Sequence, residues 1–174
     1  DIIQFKLKKE NFNPNHPVTK NLQSLLMSSV SVVMPANENV DFVPLLQAST
    51  NSSLMPIKVV YDGLNPRQVL TYFKADNNPK ILAAAVHGKQ PDNQFNMIVV
   101  GDTDFIYDNF WATSQTILER TFFVPLFNNA DFILNSLDYL TNNRDLLNLR
   151  GKSAKNREFT DIEKQRKQNV FQYK

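Results

Sequence analysis

An apolar run that stops on Gly-Asp-Thr-Asp constrains this chain more than any other feature. Residues 95–110 read FNMIVVGDTDFIYDNF, and after an insert residues 128–152 read NNADFILNSLDYLTNNRDLLNLRGK. An apolar segment bounded by turn formers reads as a strand. Ile133, Leu134, Leu137 and Leu140 then share one face of a helix over residues 131–141, whose start is favoured by Asn128, Asn129 and Asp131. Residues 146–149 close as a short strand before Arg-Gly-Lys. Strand, acidic turn, helix and return strand, in that order, predict an α/β architecture.

The remaining chain supplies further pieces. Ile3, Phe5 and Leu7 alternate with polar residues, which predicts a half-buried strand. Residues 11–22 are rich in breakers, with Thr19 or Asn21 placed to cap a helical turn. Residues 28–34 alternate in part and stop at Pro35, and residues 40–49 form an extended piece broken by Pro44. Residues 65–76 predict a helix with Val69, Leu70 and Phe73 on one side. Residues 81–86 and 95–100 predict strands covered on both faces, and the short polar connection 88–93 makes them neighbours.

Composition narrows the functional classes. At 174 residues and 42% hydrophobic content the chain can bury a full core, and one domain is expected. It contains no cysteine, which excludes disulfides, thiolate zinc sites and a thiol nucleophile. No window approaches a membrane span. The net charge of +2 conceals an uneven distribution, because residues 150–174 carry +5 and the rest −3. A basic tail suits a solvated helix or an anionic lipid surface. Aromatics are not interleaved with its charges, so nucleic acid is not expected as a partner. A helix is expected from Thr160 towards Tyr173, its apolar stripe thin.

Three groups carry candidate chemistry. Asp102 and Asp104 follow a strand end, where ligands bind in open α/β sheets, with His87 on the neighbouring strand as a possible partner. Two such acids suit a divalent cation, but an Asp after Gly also caps the next turn by accepting backbone N–H bonds, and that reading leads. His16, before Pro17, reads as a turn-holding residue. Ser49, His87 and Asp102 can be assembled into a triad on paper, yet no G-x-S-x-G elbow presents the serine. Neither a P-loop nor a G-x-G-x-x-G fingerprint occurs. Arg150 and Lys152 read as the polar end of a sheet edge, or as a surface for a partner or anionic lipid.

Six segments in order resemble the auxiliary component of ABC-type transport systems associated with gliding motility. Residues 13–22 (NPNHPVTKNL) are similar to that family's HPIT…L segment, and residues 43–49 (VPLLQAS) to its PLL.TS segment. ILAAAVHGK at 81–89 resembles its LAVALEGK strand, and VVGDTDF at 99–105 its VVGDSDF. Residues 131–140 resemble FFLNALDWL, and residues 146–152 resemble LISIRGK. The resemblance implies a three-layer, flavodoxin-like or glutamine-amidotransferase-like sheet flanked by helices, lacking the strand and helix that usually precede it. Residues 1–152 would form the accessory domain, and residues 153–174 a basic juxtamembrane linker before a membrane span beyond Lys174. It implies a non-catalytic domain without cofactor on the periplasmic face of a bacterial inner membrane, partnered by the permease and ATPase. The alternative is a small-molecule or sugar-binding domain using a strand-end pocket at residues 101–105 and His87. A metal-dependent hydrolase is third.

Overall fold

The computed structural model describes residues 4–58, 65–92, 94–117, 119–143, 145–147 and 149. Expectations for Ile3, Arg150, Lys152 and the tail 153–174 lie outside the described residues.

Two small antiparallel sheets, together with Phe105 and Phe132, build the core. Strand β1 (Gln4–Lys8) runs antiparallel to β2 (Ser24–Ser28), with Phe5 opposite Met27 and Leu7 opposite Leu25. Leu7, Leu25 and Met27 are buried while Lys6 and Lys8 are exposed, the alternation of a strand with one wet face. The second sheet has the order β3-β4-β5, from Val40–Gln47, Ile81–Gly88 and Asn96–Val100. β4 is central and buried along most of its length, through Leu82, three alanines and Val86. The first-sheet turn joins the second sheet directly. A 3-10 turn (Lys9–Asn11) leads to Phe12, which bridges Leu46, and the Asn11 and Asn13 amides donate to the carbonyls of Gln47 (3.0 Å) and Pro44 (2.9 Å). Pro44 is tolerated in β3 because the register shifts beside it.

Helix α1 (Pro66–Tyr72) starts at a capping box in which Asn65 and Gln68 exchange side-chain to backbone bonds. It buries Val69, whereas Leu70 of the expected face is exposed. After β5 come a 3-10 turn (Asp104–Ile106), the short helix α2 (Asp108–Trp111), the hairpin β6 (Ala112–Ile117) and β7 (Arg120–Pro125), and helix α3 (Asn129–Leu140). Phe105 of the turn meets Phe132 of α3 edge to face, ring centres 5.3 Å apart, in the middle of the core.

Several expectations are corrected. All paired strands among the described residues are antiparallel and fall into three small sheets. The architecture is mixed α/β, but a flavodoxin-like three-layer arrangement is not found there. The short connection between β4 and β5 turns the chain straight back, which a parallel pair cannot do. β5 is not covered on both faces; Met97 is exposed. The strand expected at 28–34 lies earlier, since Leu25 and Met27 are the inward pair and Ser29, at φ 51°, ends the strand. Residues 145–147 and 149 are helical rather than extended, with Leu147 N donating to Asn143 O at 3.4 Å. A short apolar run does not by itself distinguish the two states. Helix α3 is rotated from expectation: it buries Asn129, Phe132, Asn135, Ser136 and Asp138 and exposes Leu134, Leu137 and Leu140.

Gly101 shows why β5 stops where it does. Its N–H donates to Leu82 O (2.9 Å) and its carbonyl accepts from Ser31 N (2.7 Å), while Val33 N donates to Ile81 O. The segment after β2 therefore crosses the β4–β5 end at backbone contact. A Cβ on Gly101 would lie 2.0 Å from Ser31 O. Gly101→Ala must displace that crossing, and overpacking of this kind costs about 1–3 kcal/mol or more. Urea denaturation of the variant should show the loss, and an unchanged midpoint would mean the crossing yields freely.

Candidate functional site

The outer edge of β2 is where the chain concentrates its polar chemistry. β1 occupies one side of this strand, so the N–H groups of Ser24, Leu26 and Ser28 point away from the ladder. Each finds a side-chain oxygen. Asn128 Oδ1 accepts from Gln23 N (3.1 Å) and Ser24 N (3.2 Å). Asn129 Oδ1 accepts from Leu26 N (3.0 Å), and its Nδ2 returns a bond to Leu26 O (2.8 Å) and another to Phe105 O (3.0 Å). Asp102 Oδ2 accepts from Ser28 N (2.7 Å). The backbone adds one more bond, from Asn128 N to Ser24 O. Asn129 is 0% exposed and bonds Leu26 as a neighbouring strand residue would.

Asp102 has a second task. Its Oδ1 accepts from Asp104 N (2.8 Å) and Phe105 N (3.1 Å), closing the turn that sends Phe105 into the core. Both oxygens of this buried carboxylate thus serve backbone donors. Burial pushes the carboxyl above its ordinary value, against the opposing pull of those three N–H bonds. Asp104 stands exposed on the turn and supplies only its backbone to this arrangement.

His87 lies elsewhere. Because β4 and β5 are antiparallel, His87 pairs with Asn96 at one end of the ladder, whereas Gly101 bonds Leu82 at the other. The separation is roughly 17 Å along the strand. The strand-end pocket expected from Gly101–Phe105 and His87 is therefore not assembled, and neither is the Ser49, His87, Asp102 arrangement. His87 instead joins a ring cluster. Its Nδ1 is 2.7 Å from Asn96 Oδ1 and its Nε2 is 3.3 Å from the Tyr139 hydroxyl. On the other side Tyr139 meets His16, ring centres 4.7 Å apart. His16 is buried, and its Nδ1 accepts from Val18 N (3.3 Å), which holds the turn. Its pKa is lowered to about 4, chiefly by burial and secondarily by the nearby His87. Among the described residues no three His, Asp or Glu side chains converge as a metal site.

Sequence reasoning missed the parts played by Asn128, Asn129 and Tyr139. The Asn pair carries a signal, since two asparagines open an apolar helix, but that signal reads as a cap. Asn128 does stand at the N-cap position, yet its side chain makes no cap bond and reaches β2 instead. Tyr139 gave no sign of lying between two histidines far away in the chain.

Two measurements probe this arrangement. Asp102→Asn puts an NH2 group against a backbone N–H whichever way the amide turns, so the variant should lose about 1–3 kcal/mol of stability. Wild-type stability in denaturant titrations would show that the carboxylate bonds contribute nothing. For His16 the unfolded chain takes up a proton near 6.5, the native one only near 4. Between those values the unfolded state binds more protons, so stability falls on acidification through this window, by up to about 3 kcal/mol. The raised Asp102 carboxyl acts in the opposite sense, gaining stability as it protonates. The comparison is therefore with His16→Asn, which keeps an acceptor for Val18 N and should flatten the pH 6.5-to-4 decline. An identical decline in both proteins would assign it to other groups.

A family model described as ABC-type uncharacterized transport system matches residues 3–136, most of the chain. No curated protein and no solved structure matches it.

Proposed function

The chain belongs to the family of ABC-type uncharacterized transport systems, and from that premise we propose that it is a non-catalytic accessory and interaction domain of such a system. The observation that carries this reading is the use made of the candidate reactive groups. Asp102 spends both oxygens on backbone donors, and both ring nitrogens of His87 have partners inside the domain. The chain has no cysteine to serve as an amidotransferase nucleophile. What it offers instead is surface, including the exposed leucines of α3 and the phenylalanines of β7.

In this proposal the domain faces the periplasm of a bacterial inner membrane, alongside a permease and an ATPase. A span beyond Lys174 would tether it. Among the described residues no helix is long and apolar enough to cross a membrane. Support for the tether comes from the sequence: residues 153–174 carry +3, and basic side chains near anionic head groups contribute about 1 kcal/mol each. Arg150 and Lys152 would extend that basic surface. The link to gliding motility, and the three-layer sheet of the complete domain, rest on the sequence resemblance and not on the family match.

The test uses the full-length protein in its own membrane. Affinity purification after mild solubilisation should recover the permease and ATPase in fixed proportion, and deleting residues 156–174 from the soluble chain should reduce sedimentation with anionic vesicles. Saturable turnover of an ester, phosphate or glutamine substrate by the purified chain, abolished by His87→Ala, would overturn the non-catalytic assignment.

A further inference from the structure

We propose that the β6–β7 hairpin is a self-association arm, in which the outer edge of β7 pairs antiparallel with β7 of a second copy about a two-fold axis at Phe122. Three other strand edges of this fold, those of β1, β2 and β3, are protected. β1 carries the exposed Lys6 and Lys8, and charged residues on an edge discourage pairing. The outer edge of β2 is filled by Asn128, Asn129 and Asp102. The outer edge of β3 receives the amides of Asn11 and Asn13. Among the described residues the β6–β7 hairpin has no such cover. It forms a two-stranded sheet of its own, held at its base where Trp111 O accepts from Leu126 N and Phe127 N. Phe122 is 50% exposed and Phe123 61%. Successive residues point to opposite faces, so the strand offers an aromatic ring on each face. A lone two-stranded hairpin is marginal in water, and a third strand is the usual remedy.

The hydrogen-bonding pattern selects the occupant. Ile117 and Arg120 close the hairpin. The closing pair of a two-residue connection is hydrogen-bonded, and bonded and non-bonded pairs alternate from there. Gln115/Phe122 and Thr113/Val124 are then bonded pairs. Ser114/Phe123 and Thr116/Thr121 are not, in keeping with the 3.2 Å contact between the two threonine hydroxyls. The outward-facing amides and carbonyls of β7 are consequently those of Thr121 and Phe123. Next along the same edge comes Pro125, which has no N–H to offer. Two β7 strands related by a two-fold axis at Phe122 satisfy one another: Thr121 of each meets Phe123 of the other, making four backbone bonds. Phe122 faces Phe122 of the second copy in a close, non-bonded pair, and each Phe123 lies beside a threonine. Arg120, the only charge on the strand, falls opposite Val124 of the second copy rather than another arginine. Strand addition of this kind draws affinity from the main chain and register from the side chains.

The absence of cysteine from the chain makes the test clean. Facing Phe122 positions in a non-bonded antiparallel pair lie within disulfide reach, whereas Gln115 positions of two copies would be about 14 Å apart, three strand spacings. Mild oxidation of Phe122→Cys should give a covalent dimer on non-reducing gels, and Gln115→Cys should not. Sedimentation velocity of the unsubstituted chain at high micromolar concentration should show a dimer that Phe122→Glu converts to monomer. A monomeric unsubstituted chain, equal cross-linking at both positions, or a dimer that survives Phe122→Glu would each overturn the proposal. If Phe122→Glu fails to fold, as judged by circular dichroism, the two cysteine variants decide alone.

Discussion

A β-strand with one free edge presents a row of backbone donors that must be satisfied, and the way this domain satisfies those of β2 organises everything around it. The usual partner would be another strand. Here the partners are three side chains from two distant places: Asp102 at the end of β5, and Asn128 and Asn129 at the start of α3. Because those bonds have fixed length and direction, they set the position of the helix and of the 102–105 turn together. Phe105 and Phe132 then meet in the core as a consequence. Leaving any of the N–H groups buried without a partner would cost about 1–3 kcal/mol, so the junction tolerates little adjustment. Gly101 belongs to the same constraint, since only a residue without Cβ lets the chain leaving β2 pass over the end of β5.

The fold was legible in the sequence where periodicity and breakers agree. β3, β4 and β5, a helix opening near residue 65 and the helix beginning near Asn129 are all placed by local pattern. It was illegible where the decisive contact is long-range. Leu134, Leu137 and Leu140 look like the buried face of α3, and a hydropathy argument must choose them. The structure instead buries Asn129, whose amide bonds Leu26 through both its oxygen and its nitrogen. It also buries Asn135, whose Nδ2 donates to Val18 O and so offsets part of the desolvation cost, while its Oδ1 has no partner among the described residues. Strand direction failed for a related reason. A polar connection between two apolar runs says that they are neighbours, and its brevity argues for antiparallel return, but the resemblance to doubly wound domains pointed the other way.

The candidate site divides along the same line. Gly101-Asp102-Thr103-Asp104 was recognisable as a turn that uses its carboxylate on backbone donors, and Asp102 does so. Its additional bond to Ser28 lies 74 residues away in the sequence. Joining His87 to that turn required the two strand ends to lie side by side, and antiparallel pairing puts them at opposite ends. Asp102, His87 and His16, residues that would attract a mechanistic reading, each make bonds inside the domain, whereas the Asp104 side chain stands exposed.

The long reach of the β2 junction bears on the order in which the protein is made. Leu26 and its partner Asn129 are 103 residues apart, and Ser24 and Asn128 are 104 apart. On a ribosome adding about 5–20 residues per second, β2 emerges roughly 5–20 s before the residues that close its edge. Through that interval the nascent chain can pair β2 with β1 but leaves its outer edge unfilled, with Asp102 arriving before the asparagines. The β2 junction is therefore closed late, after the strands that pair as β1 with β2 and as β3, β4 and β5 have all been synthesised. That closure waits for synthesis to reach α3, and a chain that stops short of Asn129 leaves the ribosome with the outer edge of β2 still open.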